Sequence, residues 1–117
     1  MRFRRKRYRL WIANPWVEHQ IKRKIFRDAE KYLRYKEGVR GKLKPIGANF
    51  YLEVEEVGDE RFEMPYAEVC FKELYDDVAV AFYMVKVYFH LDGEFVYVSE
   101  AKKGGKDVCD ACKEGQE

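Results

Sequence analysis

The sequence has one serine, Ser99, and no threonine. Ser99 falls inside a stretch that reads as a strand, outside any Gly-x-Ser-x-Gly turn, and this argues against serine-nucleophile catalysis. Neither common glycine-rich phosphate loop is present, so a built-in nucleotide site of those kinds is not expected. The two histidines, His19 and His90, stand at no metal-binding spacing from another ligand. No apolar run approaches the roughly 18 residues that a membrane helix needs. The longest, residues 78–85, stops at Lys86. The basic first residues are not followed by the apolar stretch of a secretory signal, and the expectation is a cytoplasmic protein with no membrane partner.

What is abundant is charge, at 38% of residues, beside 47% hydrophobic residues. A chain of 117 residues is the size of one ordinary domain with its own core. Many charges with only two Gln and two Asn is a hyperthermophile pattern and points to a thermophilic, archaeal source. The net charge of +2 conceals a division. Residues 1–45 carry 16 Lys and Arg against four Asp and Glu, whereas residues 46–117 carry seven against 17. Such asymmetry suggests a nucleic-acid or acidic partner for the basic half. The competing reading is that the two halves fold together and neutralise each other.

Along residues 4–13, Tyr8, Leu10 and Ile12 alternate with Arg5, Arg7, Arg9 and Trp11. This predicts a strand with one basic face, with residues 1–6 as a frayed arm. Asn14 and Pro15 then form a helix start, and Val17, Ile21, Ile25, Ala29 and Leu33 recur every four residues until Gly38. A helix over 15–37 follows, with Lys22, Arg23, Lys24, Arg27, Lys31 and Arg34 largely outward. Residues 48–57 alternate as a half-buried strand, and Gly58-Asp59-Glu60 reads as a turn. Residues 62–75 fit either a strand or a short helix starting at Pro65; the strand is preferred. Residues 78–91 are apolar on both faces, as in a central strand. Asp92-Gly93 is a two-residue hairpin signal, which pairs Phe89 with Val96, Tyr88 with Tyr97, Val87 with Val98 and Lys86 with Ser99.

The expected fold is α+β. One long N-terminal helix packs across a curled, mainly antiparallel sheet of four or five strands, in the order β-α-β-β-β-β. The domain spans 1–103, and 104–117 form a polar, flexible tail. That order resembles the cystatin-like arrangement in architecture, which implies no function by itself.

Four constellations bear on chemistry. The first is the basic, aromatic start, Arg2, Arg4, Arg5, Lys6, Arg7, Arg9 and Trp11, extended by Lys22, Arg23 and Arg27 on the helix. Guanidinium groups grip phosphates and aromatics stack on bases, so these residues are candidate nucleic-acid contacts. The plain alternative is a solvated face. The second is the aromatic strand face of Tyr88, His90, Phe95 and Tyr97, with Tyr51 nearby, which suits either base stacking or packing against a second copy. The third is Asp76-Asp77, a hairpin, then Glu100-Ala101-Lys102. It resembles the metal-dependent nuclease pattern, which implies Asp77 and Glu100 on a divalent metal with Lys102 orienting water. The fourth is Cys109-Asp-Ala-Cys112, half of a zinc site if other ligands join it, or a disulfide, or free thiols. Cys70, in an apolar stretch, reads as a buried thiol.

The leading expectation is a nucleic-acid-binding module without catalysis or cofactor. The alternatives are a homodimeric interaction domain and a nuclease-like protein using Asp77, Glu100 and Lys102.

Overall fold

The computed structural model of the chain describes residues 3–91 and 96–108. The elements are β1 (Phe3–Arg9), α1 (Pro15–Tyr35), β2 (Lys42–Val57), β3 (Glu60–Tyr75), β4 (Val78–Phe89), β5 (Val96–Gly104) and a closing 3-10 turn, Lys106–Val108. The strands form one open sheet in the order β1-β2-β3-β4-β5, every neighbouring pair antiparallel. The helix α1 lies across one face, as the sequence pattern implied.

The helix starts where its orphan amides find an acceptor. Asn14 Oδ1 accepts from the Trp16 and Val17 N–H groups at 2.9 and 3.4 Å, and Pro15 occupies the first turn, where no N–H is needed. It ends at Tyr35, two residues short of the expected end. Gly38 takes a left-handed φ of +67°, and the chain doubles back so that the Val39 N–H donates to the Leu33 carbonyl at 3.0 Å. Ile21, Ile25, Ala29 and Leu33 are buried in one cluster with Phe50, Val69, Phe71, Val85, Val87 and Phe89. Phe26 meets Phe71 edge-on at 5.7 Å.

The turns explain the hairpins. Gly58, at φ +62°, is the first central residue of the two-residue β2–β3 turn. Asp76 and Asp77 are both left-handed, at φ 50° and 63°, and join β3 to β4 as a type I′ turn does. Residues 62–75 are strand throughout, within β3.

Four expectations are corrected. Residues 3–6 are not a frayed arm, because Phe3 to Arg9 pair with Val57 to Tyr51 along β2. β1 then stops at Arg9, not Ala13; Leu10 donates to the Phe50 carbonyl at 2.9 Å and the chain swings into the Asn14 cap. The expected pairs Phe89–Val96, Tyr88–Tyr97 and Val87–Val98 form, but a bulge after Lys86 pairs it with Glu100 and not Ser99. The tail does not begin at Gly104, which belongs to β5, and Val108 packs against Cys70 and Met84.

Ile25 is wholly buried, so Ile25→Ala is expected to cost about 3 kcal/mol in chemical denaturation. At the β3–β4 turn, Asp77→Gly keeps or raises stability, whereas Asp77→Val loses about 1 kcal/mol, because a β-branched residue resists the left-handed backbone. Thermal melts of the two variants side by side check this.

Candidate nucleic-acid interface

The cations of the basic half divide between opposite sides of the sheet. Strand alternation places Arg5, Arg7 and Arg9 on the face turned away from α1. Each meets a group supplied by β2 or β3. Arg5 reaches Glu55 at 2.8 Å and Glu53 at 3.6 Å. Arg7 lies 3.3 Å from Glu68 and 3.4 Å from the Tyr66 hydroxyl, with its guanidinium 4.4 Å above the Tyr51 ring. Hydrogen bonding to Tyr66, ahead of the opposing effect of burial, raises the Arg7 pKa further above its already high value. Arg9 donates to Asn49 Oδ1 at 2.9 Å and sits 5.3 Å from the Trp11 ring centre. Arg4 and Lys6 are exposed, and Arg2 lies outside the described residues.

The same face carries the tyrosine ladder. Tyr51 stacks on Tyr66 at 5.3 Å, and Tyr66 meets Tyr88 at 5.6 Å. Lys86 lies 4.5 Å over Tyr66, so the chain's own cations cover these rings. Tyr97, the next rung, stays exposed. His90 lies just beyond β4, and Phe95 is outside the described residues. Beneath the ladder Glu53, only 6% exposed, accepts from the Tyr88 hydroxyl at 3.1 Å and from Lys86 Nζ at 3.3 Å. Burial pushes the Glu53 carboxyl up. The Lys86 charge and the bonds from Tyr88 and Lys86 outweigh it and leave the pKa below the usual glutamate value.

On the other side, α1 presents a different surface. Residues displaced by two from the buried stripe point away from the sheet: His19, Arg23, Arg27, Lys31 and Tyr35, every fourth residue and all exposed. At 1.5 Å of rise per residue the row runs about 24 Å, with neighbours about 6 Å apart. Among the described residues no carboxylate lies within 4 Å of Arg23 or Lys31, while Arg27 has Asp28 at 3.6 Å and Lys22 is held by Glu18 at 2.9 Å. Arg34 does not belong to this outer surface. It folds back and donates to the Val39 and Gly41 carbonyls at 3.2 and 2.6 Å. That loop is held from the other side by Glu73, buried, which accepts from the Gly41 N–H at 3.1 Å and the Tyr83 hydroxyl at 2.8 Å. Burial, then the bond to Glu73, pushes the Tyr83 phenol up to about 12.

Aromatic groups stand at both ends of the row. Trp16 is 69% exposed with its ring 6.4 Å from that of His19, and Tyr35 is 84% exposed. Beside Lys31 and Tyr35, an open groove of about 340 Å³ runs between α1 and β5, bounded also by Tyr32, Lys36, Asp28, Val96 and Val98. The cleft at the β1–α1 junction, between Arg9, Trp11 and Glu18, holds about 160 Å³, below the range of small-molecule sites.

The nuclease-like set is not assembled. Glu100 and Lys102 lie on β5 opposite Lys86 and Met84, whereas Asp77 forms the β3–β4 turn, nine positions before Lys86 and so roughly 30 Å along the strand. Among the described residues no three of His, Cys, Asp and Glu are grouped as metal ligands, and Cys109 and Cys112 lie outside the described residues. Cys70 is buried as expected, but it is disulfide-bonded and not a thiol. Among the described residues no helix is long and apolar enough to cross a membrane. Comparison with protein-family models, with curated proteins and with solved structures found no match.

The row on α1 follows the same four-residue period as the buried stripe, so its signal was present in the spacing of His19, Arg23, Arg27, Lys31 and Tyr35. The Glu53–Lys86–Tyr88 group had no such signal, since it joins β2 to β4 across an intervening strand.

Because the Glu53 pKa falls on folding, its contribution to stability is present above the ordinary glutamate pKa of 4.5 and is lost as pH drops through the lower folded value. Glu53→Gln is therefore expected to lose about 2 kcal/mol at pH 7, with the gap to the parent narrowing below about pH 4. Denaturant melts of both proteins from pH 3 to 8 measure that gap.

Proposed function

We propose that this chain binds single-stranded nucleic acid through the outward side of α1. The observation that carries the reading is the row Arg23–Arg27–Lys31, exposed and in line on the face opposite the sheet. Three cations about 6 Å apart suit a run of phosphates, and Lys36 prolongs the charge toward the groove. Trp16, His19 and Tyr35 give unpaired bases flat surfaces to stack on, and such surfaces favour single strands over a closed duplex. Phosphate contacts of this kind hold the strand without reading much sequence. Arg5 and Arg7 on β1 contribute less, because Glu53, Glu55 and Glu68 already meet them.

A second reading rests on the β3 edge. Residues 60–65 extend past the first β3–β4 pair, Tyr66–Tyr88, and expose Phe62 and Met64. A strand edge with no β4 partner among the described residues, carrying apolar side chains, suits self-association.

Labelled single- and double-stranded DNA and RNA titrated across salt separate these readings. Single strands are expected to bind with a log–log salt slope of about −2, from three phosphate contacts. Arg23→Ala with Arg27→Ala weakens binding on the order of tenfold or more and flattens the slope, whereas Arg5→Ala has a smaller effect. No binding at about 50 mM salt, together with a dimeric mass in solution, favours the edge reading.

A further inference from the structure

Lys31 and Tyr35 belong to the row on α1 and also to the groove between α1 and β5. Along α1, Asp28, Lys31, Tyr32, Tyr35 and Lys36 stand at i, i+3, i+4, i+7 and i+8, which puts them on one flank of the helix beside the buried stripe. That flank borders β5, the last strand of the sheet, whose Val96 and Val98 are half-buried against the core and form the groove's other wall. At about 340 Å³ the groove reaches the lower end of the range for small-molecule sites. Its lining is mixed in chemistry. Val96, Val98 and the Tyr32 ring suit a flat, largely apolar group. Lys31 and Lys36 are exposed and supply positive charge. Asp28 is the one carboxylate among the described residues that line the groove. Its Oδ1 lies 3.6 Å from Arg27 Nε, beyond hydrogen-bond length, so both carboxylate oxygens can still accept. A phosphate chain that follows Arg23, Arg27 and Lys31 is repelled by Asp28. A neutral base with N–H donors turned toward Asp28 is not.

We propose that the groove holds one unstacked base of the bound strand, and that Asp28 selects guanine. The inference rests on α1 as the strand-binding surface. Lys31 and Lys36 hold the phosphates on either side of that nucleotide, and its base lies against Val96, Val98 and Tyr32. Guanine carries two donors side by side on its pairing edge, N1–H and the N2 amine. Two parallel N–H···O bonds match the two carboxylate oxygens, the geometry that makes bidentate pairs strong. Every other base sets an acceptor beside its donor: N3 in cytosine, N1 in adenine, and a carbonyl on each side of N3–H in thymine or uracil. Those acceptors face the lone pairs of the carboxylate. A site built around paired acceptors rejects a base that leaves one of them unpaired.

Fluorescence anisotropy compares a labelled single-stranded thymine oligonucleotide of about ten residues with the same strand carrying one central guanine. The guanine strand is expected to bind about tenfold tighter. Inosine at that position keeps N1–H and loses the amine, and it is expected to give up most of the gain. Asp28→Asn puts a donor amide in place of one acceptor oxygen. This variant is expected to bind the guanine and thymine strands alike, and the thymine strand no more weakly than the parent does. Asp28 is partly exposed, so the far-UV circular dichroism of Asp28→Asn is expected to match the parent. Arg23→Ala weakens both strands and leaves their ratio. No preference for guanine, an inosine strand that binds as tightly as the guanine strand, or a preference that survives Asp28→Asn would overturn the base site and leave α1 as the strand-binding surface. Failure of every strand to bind at low salt would overturn both.

Discussion

The side of α1 that faces solvent is set by the burial of Ile21, Ile25, Ala29 and Leu33 against the sheet. Removing four apolar side chains from water contributes on the order of 6 kcal/mol. Setting Arg23, Arg27 and Lys31 in line about 6 Å apart costs well under 1 kcal/mol per neighbouring pair in water, and less with salt. The apolar stripe wins by a wide margin. The fold can therefore hold like charges in a row that an isolated helix would disfavour, and among the described residues no carboxylate of the sheet pairs with that row.

The division of charge along the sequence is resolved differently on the two sides of the sheet. On the open face, the antiparallel register of β1 with β2 brings Arg5 and Arg7 beside Glu53 and Glu55, and Glu68 follows from β3. The acidic half there meets the basic half. On the helix side, the ion pair that the row makes among the described residues lies within α1 itself, Asp28 beside Arg27. The two sides thus differ in chemistry. One is a tyrosine ladder braced by ion pairs; the other is a cationic row flanked by exposed rings.

Much of this was legible before any coordinates. The four-residue stripe, the Asn14-Pro15 start, the alternation of residues 48–57 and the β4–β5 register of Phe89 with Val96 all follow from local periodicity, which short-range backbone geometry enforces. What local patterns miss is whatever joins distant strands. Arg7 reaching Tyr66 and Glu68, or Glu53 reaching Lys86, depends on three-strand register that no window of sequence contains. The basic face of β1 was visible, but its neutralisation was not. Asp76-Asp77 shows the reverse error: two acids suggested metal chemistry, and their spacing between two apolar runs was the signal of a turn. Cys70 was correctly placed in the core, but it is disulfide-bonded, and nothing in the apolar residues around it signalled that.

The central claim is that α1, not β1, meets the polyanion. Backbone amide shifts of the labelled protein, followed during titration with a short single-stranded oligonucleotide, address it directly. The account expects the largest changes at His19, Arg23, Arg27, Lys31 and Tyr35 and along the groove at Val96 and Val98, with β1 nearly still. Changes centred on Arg5, Arg7 and Arg9, or none at all under low salt, would contradict it.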